Sequence, residues 1–142
     1  MSMLKKHKYG WYEHISPNKY NPHIWIVNEE NVTIGDNCWI GAFVVLDGSG
    51  GMLKIGKEVS IACGAHIYTH STAWLHVSEG KKQKVTRKVT IGDYAVIGAN
   101  AVVVMANIGH HSIVQACSVV LKDVPPHVIV AGNPAKVVKK IA

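Results

Sequence analysis

The side chains best suited to proton transfer at neutral pH are imidazoles. Two of them, His66 and His70, lie in the stretch Ala65-His-Ile-Tyr-Thr-His-Ser-Thr-Ala-Trp74, and His76 follows closely. A neutral imidazole at hydrogen-bond distance is a natural base for a hydroxyl, which is a weak nucleophile at that pH. The adjacent pair His110-His111 reads as solvated turn residues. Asp47 opens the Gly-rich stretch Asp47-Gly-Ser-Gly-Gly51, where an Asp side chain commonly bonds its own local backbone. Cys38, Cys63 and Cys117 are odd in number, widely spaced and without a C-x-x-C pair. That spacing disfavours a disulfide framework or a thiolate zinc site and suits a reduced, cytoplasmic protein. The net charge is +6, and five of the fifteen Lys and Arg residues are Lys81, Lys82, Lys84, Arg87 and Lys88. Lys136, Lys139 and Lys140 form a second group near the C-terminus. Such groups suit an anionic partner or two solvated faces.

These residues need a scaffold, and composition restricts its type. The 142 residues suffice for one ordinary domain; they are 48% hydrophobic but only 7% aromatic, with a single Phe. The apolar content is mostly Val, Ile and Ala, which favours strands over a helical bundle. No apolar run approaches the roughly 18–20 residues of a membrane span. The basic N-terminal stretch lacks the apolar region of a secretory signal.

A repeat organises the chain. Apolar residues recur every six positions at Ile34, Ile40 and Leu46, then Ile55, Ile61 and Ile67, then Ile91, Ile97 and Val103, then Ile108, Val114 and Val120. Small or slim residues stand four places after most of them, among them Cys38, Val44, Val59, Ala65, Ser71, Ala95, Ala101, Ser112 and Ser118. Gly follows several anchors directly. Period six fits neither a helix nor a hairpin. It fits a triangular coil of three short strands, with anchors filling a narrow axis and coils stacking through parallel hydrogen bonds. Trp39, in the outward phase, belongs on an outer face.

Breaks in phase locate what decorates the prism. The segment 47–51 bulges from a corner, and about 73–84 forms an extruded loop carrying Trp74, His76 and several lysines. Val85 and Val89 then fit one further unit. The step of five from Val103 to Ile108 shortens a corner at Ala106-Asn107, and Pro125-Pro126 closes the prism. Residues 1–27 form an irregular cap with a little strand, and 28–142 the repeat domain.

Over about residues 28–142 the sequence resembles the bacterial hexapeptide-repeat acyltransferases. The ending Val119-Val-Leu-Lys-Asp-Val-Pro-Pro-His-Val-Ile-Val-Ala-Gly-Asn-Pro-Ala-Lys-Val-Val is similar to that of their sugar and serine O-acetyltransferase branch. The resemblance implies an all-β, left-handed parallel β-helix, a homotrimer, and acetyl-CoA as co-substrate in a cleft between subunits. It implies that His70 is the catalytic base, with His66 a weaker competitor. By position it gives Ala99 a main-chain amide for acetyl-CoA, sets the Ala116 backbone against the pantetheine arm with Lys122 close by, and places Lys136 and Lys139 near the adenosine 3′-phosphate. Acceptor contacts are carried over to Asp47, Trp74 and His76, Asp47 keeping its alternative as a turn residue.

The implied function is O-acetylation of a sugar or another small hydroxylated acceptor, by direct attack on the thioester. No metal, nucleic acid or membrane span is expected. The stretch from Met105 to Cys117 departs from the family pattern by one missing residue and two replaced glycines, which predicts a displaced pantetheine wall. Three other readings compete: N-acetylation of an amino sugar, a non-catalytic β-helix scaffold, and a γ-type carbonic anhydrase. The last needs an H-x4-H pair, and His66-x3-His70 does not supply it.

Overall fold

One apolar anchor every six residues cannot bury itself within its own unit, so burial requires each strand to lie on an identical strand of the next coil. The computed structural model, which describes residues 23–142, has this arrangement. Successive strands run round three faces of a prism. The first face stacks β1 (Trp25–Val27), β4 (Val45–Asp47), β7 (His66–Tyr68), β12 (Val102–Val104) and β14 (Val119–Val120). The second stacks β2 (Val32–Ile34), β5 (Leu53–Ile55) and β10 (Val89–Ile91), continued by single bridges through Ile108 and Val124. The third stacks β3 (Trp39–Ile40), β6 (Ser60–Ile61), β11 (Val96–Ile97), β13 (Ile113–Val114) and β15 (Val128–Gly132). All these pairings are parallel. The last strand, β16 (Ala135–Lys140), turns back antiparallel on β15 and closes the third face. The architecture is the triangular coil that the repeat implied and the left-handed parallel β-helix that the resemblance implied.

The register places anchor upon anchor. Leu46 lies on Ile67 and Ile67 on Val103; Ile61 lies on Ile97 and Ile97 on Val114. Ten of the twelve anchors are buried, while Ile34 and Ile40 are half-buried against the core. Ala95, Ala101, Ser112 and Ser118 fill the narrow spaces between them. The repeated Gly after an anchor has a steric cause. A Cβ on Gly98 would run into the backbone of Ala116 one coil above, and a Cβ on Gly92 into that of His110. Trp39 is 57% exposed, as its phase predicted.

The structure corrects the phase reading at three points. The prism already includes β1, so its first coil takes in residues assigned to the cap; the rest of that cap, 1–22, lies outside the described residues. The excursion is longer than 73–84. The chain leaves the prism after Thr69, and β8 (His70–Ser71) pairs antiparallel with β9 (Val85–Thr86) around a short helix α1 (Ala73–Val77). Val85 is therefore an exposed ribbon residue rather than an anchor, and Ser71 fills no axial space. The coil resumes at Val89, which is buried. Both the bulge at 47–51 and this excursion leave the corner between the first and second faces, one coil apart. That superposition brings the candidate chemistry together. Among the described residues no helix is long and apolar enough to cross a membrane.

Candidate active site

Asp47 ends β4 and Thr69 follows β7, so the stacking that pairs Leu46 with Ile67 lays the start of the bulge against the start of the excursion. Asp47 and Thr69 are both buried, at 1% and 0% exposure. A buried carboxylate must have its lone pairs satisfied, and here they are. Asp47 Oδ1 accepts from the Ser49 amide at 2.9 Å and the Ser49 hydroxyl at 2.5 Å. Asp47 Oδ2 accepts from the Thr69 amide at 2.9 Å. The Thr69 hydroxyl has one proton to share between the Asp47 carbonyl, at 2.9 Å, and Oδ2, at 3.0 Å; its oxygen accepts from the Gly50 amide at 3.0 Å.

The remaining partner of Oδ2 is His70, whose Nδ1 lies 2.6 Å away. Nδ1 is also 2.9 Å from Ser49 Oγ. Because the Ser49 hydroxyl proton points to Asp47, its oxygen can only accept from His70. Nδ1 therefore carries a proton, and Nε2 carries the lone pair in the neutral ring. The His70 side chain is 29% exposed, so the ring bridges a buried carboxylate and solvent. Burial by itself raises the Asp47 carboxyl, but the hydrogen bonds from Ser49, His70 and the Thr69 and Ser49 amides outweigh it and leave the group below its usual 3.8. Tyr68, next to this pair, is pushed up by burial and by the Asp47 charge.

This geometry sorts the residues singled out in the sequence. His66 opens β7 on the first face with Nδ1 2.9 Å from the Tyr68 hydroxyl, and no carboxylate among the described residues holds it. The Asp47 carboxylate is buried and fully engaged with Ser49, Thr69 and His70, a placement that suits orienting the imidazole better than meeting an acceptor. Trp74 and His76 sit on α1, exposed, with Lys82 Nζ 4.7 Å over the Trp74 ring. Arg87 leaves the basic group entirely: it forms a two-pronged pair with Asp123 at 2.7 and 2.9 Å and donates to the Met105 carbonyl at 2.9 Å. Asp123 also accepts from the Asn107 amide, which braces the shortened corner.

The residues assigned to acetyl-CoA do not converge within one chain. Ala99 and Ala116 stack at the corner between the third and first faces, where the Cys117 amide bonds the Ala99 carbonyl at 2.9 Å. Lys122 shares the His70 corner, and Lys136 and Lys139 are exposed on β16. Sequence reasoning missed Ser49 and Thr69. Their signal was positional: each stands beside a break of phase at the same corner.

Gly50 sits under this arrangement, and a Cβ there would run into the Thr69 carbonyl and the His70 Cβ. Gly50→Ala is expected to displace His70 and reduce kcat by about tenfold or more, since an ångström of misplacement can cost about a hundredfold. Steady-state kinetics on the folded variant checks this.

No family model matches the chain. It is 31% identical over 135 residues to the galactoside O-acetyltransferase of Escherichia coli K12, covering 94% of this chain and 56% of that protein. Among solved structures, a hexapeptide-repeat containing acetyltransferase from Vibrio cholerae superposes with a TM-score of 0.76 at 32% identity, over 85% of this chain and 68% of that one. The same Vibrio protein in complex with acetyl coenzyme A gives 0.75 at 31% identity, over 85% and 66%. A maltose O-acetyltransferase from Clostridium difficile gives 0.72 at 29% identity, over 84% and 64%. The chain spans little more than half the length of the curated relatives it matches, 56% for the galactoside enzyme.

Proposed function

The chain belongs to the hexapeptide-repeat acetyltransferases, and from that premise we propose that it is an acetyl-CoA-dependent O-acetyltransferase of a sugar or similar small hydroxylated acceptor, with His70 as general base. One observation carries the reading: His70 Nδ1 is held 2.6 Å from a buried, ionised Asp47, which leaves Nε2 as the proton acceptor. In the proposed reaction Nε2 takes the acceptor hydroxyl proton as that oxygen bonds to the thioester carbonyl carbon. The C–S bond then breaks, and the imidazolium returns the proton to the departing coenzyme A thiolate. Galactoside and maltose in the names of two relatives support a sugar as acceptor. A relative with acetyl coenzyme A bound supports the donor.

The wide separation of Ala99, Ala116, Lys122, Lys136 and Lys139 around one prism supports a donor cleft assembled from adjacent subunits of a homotrimer. Ala99 and Ala116 offer main-chain groups to the pantetheine arm, and the three lysines offer point charges to its phosphates. Trp74 and His76, on the excursion beside His70, are the acceptor-side candidates. Three free cysteines suit a reducing, cytoplasmic setting. A panel of mono- and disaccharides with acetyl-CoA, read by released thiol, tests the reading. Acetyl-CoA-dependent thiol release with a hydroxylated sugar is expected. Release only with amino sugars would move the assignment to N-acetylation, and the absence of both release and acetyl-CoA binding would favour a scaffold.

A further inference from the structure

The corner between the second and third faces lies away from His70 and has a chemistry of its own. Each coil passes this corner through a residue with left-handed backbone, and the slots superpose: Tyr94 (φ 60°), His111 (φ 57°) and His127 (φ 58°). Rung spacing in a parallel sheet is about 4.8 Å, so rings in successive slots must stack. Tyr94 stacks on His111 at 4.9 Å and His111 on His127 at 5.0 Å, with interplanar angles of 18° and 16°. His110 precedes His111 and stands edge-on to both other imidazoles, 5.2 Å from His111 and 5.0 Å from His127. Backbone bonds fix the three turns: the His111 amide to the Asp93 carbonyl at 3.0 Å, and the His127 amide to the His110 carbonyl at 3.2 Å. Read from the sequence, His110-His111 is a pair of solvated turn residues; the fold adds His127 to it.

We propose that His110, His111 and His127 bind one divalent transition-metal ion of the zinc type. One ring nitrogen from each residue lies within 4.8 Å of the others, and all three side chains are exposed. Ligands around a tetrahedral zinc with bonds of 2.0–2.1 Å stand about 3.4 Å apart, so modest rotations of exposed rings close the site. His110 Nδ1 and His111 Nδ1 are already 2.9 Å apart. Two facing ring nitrogens hold at most one proton between them in the neutral state, and a metal ion takes that proton's place. An all-imidazole donor set suits zinc, copper or nickel over calcium or magnesium, with water completing the shell on the open side. The ion clips the turn at 110–111 to His127, which follows the closing Pro125-Pro126 and anchors the Ile141 amide at 2.7 Å. It therefore ties the C-terminal closing segment to the coil beneath. This site is distinct from the carbonic-anhydrase alternative, because its three ligands come from neighbouring turns of one chain.

The test uses tag-free, chelator-treated protein and Zn²⁺ alone, measured by equilibrium dialysis and by thermal unfolding. One zinc per chain and a zinc-dependent rise in Tm are expected, since a ligand bound only to the folded state stabilises it. His127→Asn suits the left-handed slot because Asn tolerates it. His110→Gln occupies ordinary backbone and keeps the test open if His127→Asn folds poorly. Each is expected to weaken zinc binding at least about tenfold and to remove the rise in Tm. Zinc bound equally by the parent and His110→Gln would place the metal elsewhere, for instance on Cys38, Cys63 or Cys117, and would overturn the proposal. So would the absence of zinc binding to the parent at millimolar Zn²⁺.

Discussion

Replacing His70 by Ala is expected to lower kcat by about 10²–10⁴-fold, the range that a positioned general base contributes. The chain should fold as before. His70 lies outside the prism axis, and its side chain is 29% exposed, so its loss opens no core cavity. Its β8 pairing with β9 is made by backbone and survives truncation. Asp47 keeps its Ser49 and Thr69 bonds and is not left unsatisfied. The KM for acetyl-CoA should change little, because four of the five residues proposed for the donor, Ala99, Ala116, Lys136 and Lys139, lie away from the His70 corner. Steady-state thiol release beside a circular dichroism spectrum separates lost chemistry from lost fold. His66→Ala serves as control: its ring meets a Tyr68 hydroxyl and no carboxylate, so a small effect is expected. A fully active His70→Ala variant, or a His66→Ala variant as inactive as it, would remove the assignment.

The scaffold around His70 was largely legible in the sequence, because period six leaves few ways to bury one anchor per unit. The anchors from Leu46 to Val120 that the pattern predicts to be inward are buried. The misreadings occurred where an apolar residue satisfied the period by coincidence. Val85 is in phase, yet it pairs with Ser71 in a ribbon outside the prism, a long-range antiparallel contact that no local spacing reveals. His127 was hidden for the opposite reason, since Pro125-Pro126 interrupts the count just where its slot rejoins the corner of His111. The Asp47–His70 contact falls between these cases. Leu46 and Ile67 occupy the same slot in successive coils, so counting anchors brings Asp47 beside the start of the excursion. What counting cannot supply is direction. Whether the carboxylate faces an acceptor or folds inward depends on donors from Ser49 and Thr69 at a corner whose geometry exists only once the coils have stacked.

That ambiguity makes Asp47→Asn the most informative substitution, with an expected fall in kcat of about 10²–10⁴-fold. An amide is nearly isosteric with the carboxylate, but its NH₂ can donate to His70 Nδ1. It would then stabilise the tautomer protonated at Nε2, which cannot accept the hydroxyl proton. A second loss comes from the imidazolium formed during reaction, which the ionised Asp47 stabilises and a neutral amide does not. Both act on kcat while leaving the acceptor KM nearly unchanged. An acceptor-binding Asp47 predicts the reverse, a raised acceptor KM with kcat retained, so the split between the two constants decides the role. Stability gives a separate reading. The folded carboxyl is held below 3.8, so the native chain binds fewer protons than the unfolded one through that range. Its stabilisation is complete above the unfolded value and is lost as pH falls through the lower folded value. Parent protein should therefore lose stability on acidification below about pH 4 more steeply than Asp47→Asn, which has no proton to take up at that position. Thermal unfolding measured from neutral pH down to the acid limit shows the difference as converging Tm values. Parallel curves would mean that Asp47 is not the buried, ionised partner that the His70 tautomer requires.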